Sequence, residues 1–188
     1  MSSSIFIETT QTPTTEVGDY RLVWEYAGDR WGHRVQVRRD GEWIDLLMAN
    51  ANGGCGLQDL FLEQRPDGSA EFQGMGQSAA GIHSASILCN PETRTITFDL
   101  ATRFRERGHV VPLWTEYRHG NESTGAGVRV EALAAPKLGE LSIVGEVPSD
   151  EITRIEWKPP TGALPQPGRP GGGLTVQWGY RMKFPLDN

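Results

Sequence analysis

Cysteine is almost absent from this chain: Cys55 and Cys89 are the only two among 188 residues. Two thiols make no disulfide framework, and alone they cannot close a four-ligand zinc site. Cys89 ends an apolar stretch and reads as a buried, reduced thiol. Long apolar runs are missing as well. No stretch approaches the roughly 18 apolar residues of a membrane-spanning helix. The N-terminal MSSSIFIETTQTPTTE has neither the basic start nor the apolar core of a secretion signal. A cytoplasmic location without membrane association is expected. Positive charge is short too: 18 Lys and Arg stand against 24 Asp and Glu, for a net charge of −6. A surface of that sign repels phosphates, so no nucleic-acid partner is expected. The basic cluster Arg103, Arg105 and Arg107 is interrupted by Glu106 and reads as a solvated strand end.

Catalytic fingerprints are lacking. There is no GxSxG, no GxxxxGK[ST], and no cysteine in a recognisable nucleophile context. GMGQSAAG (Gly74–Gly81) departs from the dinucleotide fingerprint, and no helix follows it. It reads as a bulged strand or tight loop with close backbone approach. GGCG (Gly53–Gly56) reads as a loop. No internal repeat is found, and no segment carries a sustained helical stripe. EALAAPKLGEL contains helix formers, but Pro136 and Gly139 break it. Nothing calls for a cofactor, and none is assigned.

What is present is glycine, proline and tryptophan: 23, 12 and 6 residues. Glycine and proline punctuate short alternating segments. Arg38–Gly41 (RRDG) separates HRVQV from EWIDLLM. Arg65–Gly68 (RPDG) separates DLFLEQ from SAEFQGM. Asn90–Thr93 (NPET) separates HSASILC from RTITFDLATRF. Turns of this chemistry between alternating segments predict β-hairpins. Tyr20, Leu22, Trp24 and Tyr26 share one side of their segment; Trp31, His33, Val35 and Val37 share one side of the next. A period of two over so many segments predicts half-buried antiparallel strands.

The stretch from Lys158 to Gly173, KPPTGALPQPGRPGGG, contains five prolines and five glycines. Directly after it, Leu174, Val176, Trp178, Tyr180, Met182 and Phe184 fall on one face. A single strand cannot bury its own face, so this one must return to the main sheet. The stretch 158–173 is therefore read as a loop inside one domain spanning 1–188, and its closing strand is expected beside EITRIEWK. Candidate strands lie at 5–7, 19–26, 31–38, 42–48, 59–64, 69–75, 82–89, 94–105, 111–118, 127–134, 140–144, 151–157 and 174–184. With some merged, roughly ten or eleven strands are expected. That is too many for one flat sheet, so the fold class is all-β: an antiparallel β-sandwich, with a closed or flattened β-barrel as the alternative.

For chemistry, WEYAGDRWGHR gathers Glu25, Asp29, Arg30, Trp31 and His33 around a turn. HVVPLWTEYRH holds His109, Glu116 and His119. Glu25, His33, Glu116 and His119 are the candidate acid–base groups. Glu116 and His119 fall on opposite faces of a strand, which is poor for joint metal binding, and no metal site is assigned. NES at 121–123 matches a glycosylation acceptor, without a secretory signal to support it.

The six tryptophans are the most suggestive feature. Indole rings stack on sugars and other flat ligands while polar neighbours orient them. Trp31, Trp114 and Trp157 sit near loops beside charged residues and, with Arg118, are the candidate ligand-binding residues. Trp24 and Trp178 sit within apolar stripes and read as core, and core filling is the plainer reading of all six.

Three functions follow. The first is a module binding a carbohydrate or small polar ligand in an aromatic-lined cleft. The second is a carbohydrate-active enzyme with Glu/His acid–base groups; mutarotase-type sandwiches are an analogy of architecture, carried by no motif. The third is a structural or interaction domain, meeting a protein partner through edge strands or the 158–173 loop.

Overall fold

The hairpin turns organise the chain as their residue types require. Between the fourth and fifth strands, Asp40 and Gly41 both have positive φ, 50° and 85°. That matches the right-handed twist of a two-residue hairpin, and Asp-Gly tolerates it. The computed structural model describes residues 4–50, 56–105, 110–120, 127–133, 138–145, 147, 151–161 and 173–185. Cys55, Glu106, Arg107, His109, the 121–123 acceptor, Pro136 and residues 162–172 of the Pro/Gly stretch lie outside the described residues.

The described residues form fourteen strands: β1 (Ser4–Phe6), β2 (Thr14–Val17), β3 (Tyr20–Tyr26), β4 (Trp31–Arg39), β5 (Glu42–Ala49), β6 (Asp59–Gln64) and β7 (Ala70–Gln77), followed by β8 (Gly81–Asn90), β9 (Thr95–Phe104), β10 (Leu113–His119), β11 (Arg129–Ala132), β12 (Glu140–Val144), β13 (Ile152–Lys158) and β14 (Leu174–Lys183). The expected count of ten or eleven is thus too low. Every one of the thirteen candidate segments carries a strand, and β2 is additional. Its Thr15 and Val17 point inward, but one strongly apolar residue in four leaves little pattern to read.

The strands form two seven-stranded antiparallel sheets, in the orders β1-β6-β7-β8-β9-β14-β11 and β12-β13-β10-β5-β4-β3-β2. The sheets are not closed into a barrel: among the described residues no ladder joins them, and an isolated bridge pairs Trp31 with Leu57. The architecture is a β-sandwich. Among the described residues, no helix is long and apolar enough to cross a membrane.

One expectation is overturned. β14 does not lie beside EITRIEWK. It pairs with β9 over ten residues, Leu174–Lys183 against Phe104–Thr95, and with β11 on its other side. Segment 152–158 is β13, in the opposite sheet, where β10 and β12 already occupy both its edges. The Pro/Gly stretch therefore connects one sheet to the other. The reason lies in length: the long apolar stripe of β14 finds a full-length partner in β9, whereas seven-residue β13 has no free edge.

The inner faces meet in an aromatic core. Trp24, Trp157, Tyr117, Tyr180, Phe72, Phe98 and Phe104 are all essentially fully buried. The inward stripe of β14 is buried from Leu174 to Phe184, as its alternation predicts. Burying a large apolar side chain contributes about 1.5–3 kcal/mol.

Candidate functional site

Where three strands of the second sheet run side by side, a small residue separates two large polar ones. Arg34 on β4 faces Met48 on β5, which brings the preceding His33 beside Ala49. From the other side, Tyr117 on β10 faces Ala49 directly. With only a methyl group between them, His33 Nε2 and Tyr117 Oη approach to 2.7 Å. Tyr117 Oη in turn lies 2.6 Å from Tyr180 Oη on β14, in the other sheet. The three polar groups form a chain through the core, in which each buried group meets a partner.

Beside this chain lies a cavity of about 40 Å³. Trp24, Trp31, His33 and Ala49 contribute its wall from one sheet, and Ala85, Phe98 and Tyr180 from the other. Small residues among large rings create the space: Ala49 and Ala85 leave room that Trp24, stacked obliquely on His33 at 4.9 Å, does not fill. Leu57, bridged to Trp31, closes one side, and exposed Asn50 stands at the rim. Thr115 adds a hydroxyl to the wall.

The electrostatics of this space are those of a neutral site. Among the described residues, no Asp, Glu, Lys or Arg side chain lines it. His33 is half-buried by area because it forms part of the cavity wall, yet protein surrounds it. Burial pushes its pKa down to about 3, so the ring is uncharged at neutral pH. Burial, and secondarily the Tyr180 hydroxyl, hold the Tyr117 phenol well above the usual range, so it stays protonated. A neutral imidazole has one acceptor nitrogen. Assigning it to Nε2 lets Tyr117 donate to His33 and accept from Tyr180, leaving Nδ1–H as a donor with no partner among the described residues.

The sequence candidates are divided by the fold. Trp31 is only 4% exposed and lines the cavity with His33. Trp157 is fully buried elsewhere in the core, where its indole N–H donates to Leu138 O at 2.7 Å. Trp114 and Arg118 lie on the outer face of β10, with the guanidinium of Arg154 at 4.6 Å over the Trp114 ring. Among the acid–base candidates, only His33 reaches the cavity. Glu25 is exposed and accepts from Arg34 at 2.6 Å. Glu116 accepts from Asn50 at 3.3 Å on the outer face, and His119 Nε2 is 2.9 Å from Thr153 Oγ1. Among the described residues no three His, Cys, Asp or Glu side chains cluster as metal ligands. Cys89 is buried, and burial pushes its thiol up to about 12, where it is a poor nucleophile.

Sequence reasoning missed Tyr117, Tyr180 and Ala49 as site residues. Alternation marks Tyr180 as inward. That its hydroxyl meets another hydroxyl depends on the pairing of strands far apart in the chain. No family model matches the chain, and no curated protein or solved structure matches it either.

Proposed function

We propose that this chain is a binding module for a neutral, polar small ligand, held between the sheets with its oxygen-bearing tip in the cavity beside Trp31 and His33. The observation that carries this reading is the lining: aromatic rings and neutral polar groups, with no charged side chain among the described residues. An ion entering there would lose its hydration without a counter-charge, whereas a hydroxyl or carbonyl loses far less. His33 Nδ1 and the Thr115 hydroxyl are available to orient it. A volume of about 40 Å³ exceeds the roughly 10–15 Å³ that one enclosed water needs and falls far short of the roughly 300–1,000 Å³ of a pocket holding a whole small molecule. The cavity therefore admits the tip of a ligand, such as one hydroxyl group of a carbohydrate, while the body rests at the Asn50 rim. Trp31 forms part of the wall against which that tip packs.

The test is tryptophan fluorescence during titration with neutral monosaccharides: glucose, galactose, mannose and N-acetylglucosamine. A saturable change that disappears in Trp31→Ala and His33→Phe, both still folded by circular dichroism, supports the proposal. A change that survives in both variants removes the ligand from the cavity. Absence of any saturable change removes these sugars as ligands.

A further inference from the structure

We propose that Ser78 is an activated serine nucleophile, with His83 as its base and Thr102 as the residue that positions the base, and that it takes acyl groups from phenolic esters or thioesters. Ser78 opens the short turn between β7 and β8. Its backbone N–H donates to Gly81 O at 2.9 Å, and Ala80 N–H donates to its hydroxyl oxygen at 3.2 Å, so both ends of the residue are tethered. The residue is exposed. Its Oγ lies 2.8 Å from His83 Nε2, and His83 Nδ1 lies 3.0 Å from Thr102 Oγ1. His83 and Thr102 are directly paired across β8 and β9, and both are buried, at 2% and 0% exposure. Gly76 stands opposite His83 on β7.

An accessible hydroxyl, a base within hydrogen-bond reach and a fixed third group are the geometric requirements of a nucleophile–base pair. Burial lowers the pKa of His83, so the ring is neutral and has a lone pair to receive a proton. Thr102 Oγ1 as acceptor from Nδ1–H places that lone pair on Nε2, toward Ser78. Arg105 donates to Gln77 Oε1 at 3.4 Å and its backbone N–H donates to Ala80 O at 3.2 Å, which holds the Ser78 turn against the end of β9.

Burial of His83 also selects the substrate. The imidazole reaches Ser78 from the protein side and does not face the solvent from which a leaving group departs. The leaving group must therefore depart as a stable anion, as phenolates and thiolates do. In the acylation step the Ser78 Oγ–acyl carbon bond forms, the acyl carbon–phenolate (or thiolate) bond breaks, and the hydroxyl proton moves to His83 Nε2. Water then attacks the acyl carbon and gives up one proton to the solvent; as the acyl carbon–Oγ bond breaks, His83 returns its proton to Ser78 Oγ, the carboxylic acid leaves, and both side chains are restored.

The experiment treats the intact protein with an alkyl fluorophosphonate and, separately, with 4-nitrophenyl acetate. In the first reaction the Oγ–P bond forms, fluoride leaves, and the proton again goes to His83. We expect one phosphonyl group per chain, located by peptide mass spectrometry on Ser78, and release of 4-nitrophenolate at least tenfold faster than from Ser78→Ala. Thr102→Val should slow labelling at least tenfold and alter its pH profile, and Thr102→Ser should restore both. If His83→Gln does not fold, the Ser78 and Thr102 variants still decide. Labelling of the wild type no faster than that of Ser78→Ala, or confined to another residue, would overturn the proposal. So would an unchanged rate and pH profile in Thr102→Val, which would leave His83 as a structural donor to Ser78.

Discussion

Tyr117 on β10 and Tyr180 on β14 reach toward each other across the two sheets, and their hydroxyl oxygens stand 2.6 Å apart. Tyr117 also meets His33, so it is the middle member of the chain. Tyr117→Phe breaks two contacts and leaves His33 Nε2 without its hydroxyl partner; Tyr180→Phe breaks one of these contacts and leaves the His33–Tyr117 contact in place. A buried polar group without a partner costs about 1–3 kcal/mol, against about 1 kcal/mol for a typical net hydrogen bond. Urea denaturation should show Tyr117→Phe as the more destabilising of the two. The reverse order would mean that the chain does not run through Tyr117.

Stability should fall as the solution is acidified. His33 titrates at about 3 in the folded protein, against 6.5 for an unperturbed histidine, and His83 is lowered as well. Below pH 6.5 the unfolded chain binds protons that the folded chain refuses, so folding loses free energy as pH drops toward 3. Once well below 6.5, the loss from His33 approaches about 1.4 kcal/mol per pH unit. Between pH 6.5 and 5 most carboxylates are still ionised, which makes this the window to read. His33→Phe should flatten the slope of unfolding free energy there; an unchanged slope would show that His33 is accessible to protons in the folded state.

Filling the cavity and stripping the outer face should separate two places for a ligand. Ala49→Leu puts a larger side chain between His33 and Tyr117 and occupies the cavity. Overpacking of this kind costs about 1–3 kcal/mol, and sugar binding should be lost while the fold persists. Trp114→Ala removes the ring under Arg154, on the partly solvated outer face. It should cost about 1 kcal/mol or less and leave cavity binding unchanged. Binding lost in Trp114→Ala and retained in Ala49→Leu would place the ligand on the outer face of β10.

Gly76 should not tolerate a side chain. A Cβ at this position would collide with the carbonyl oxygen of Gly56 and crowd Leu57, the residue bridged to Trp31. These are backbone atoms and cannot swing aside. Gly76→Ala is therefore expected to destabilise the protein by several kcal/mol, beyond the common range of about 0.5–3 kcal/mol, or to displace the Leu57 bridge. Thermal melting measures the first, and a changed Trp31 emission the second. A near-neutral effect on both would mean that the chain around Gly56 moves freely.

Much of the fold was legible because β-structure writes itself locally. Alternation at Tyr20–Trp24 and Leu174–Phe184, and Asp-Gly at 40–41, each depend on neighbours in the chain. β2 was not legible, since Val17 is its one strongly apolar residue. The site was legible only at its entrance: WEYAGDRWGHR drew attention to Trp31 and His33 by chemical type. Trp114, Trp157 and Arg118, grouped with Trp31 as ligand-binding candidates, stand away from the cavity it lines, because one strand puts alternate residues on opposite faces and only assembly shows which face is closed. Ser78 and His83 lie five residues apart in a stretch with no motif, and their third partner, Thr102, comes from the register of the next strand.

By itself, then, the sequence determined the strands, their inward faces and the all-β class, since these follow from periodicity and turn chemistry over a few residues. The tertiary structure alone decided that β14 crosses to the sheet of β9, that Ala49 separates His33 from Tyr117, and that a neutral cavity forms beside them. Those features come from pairing between segments up to 88 residues apart, as Thr95 and Lys183 are, whose order depends on which edges remain free and which lengths match, and no local pattern encodes that competition.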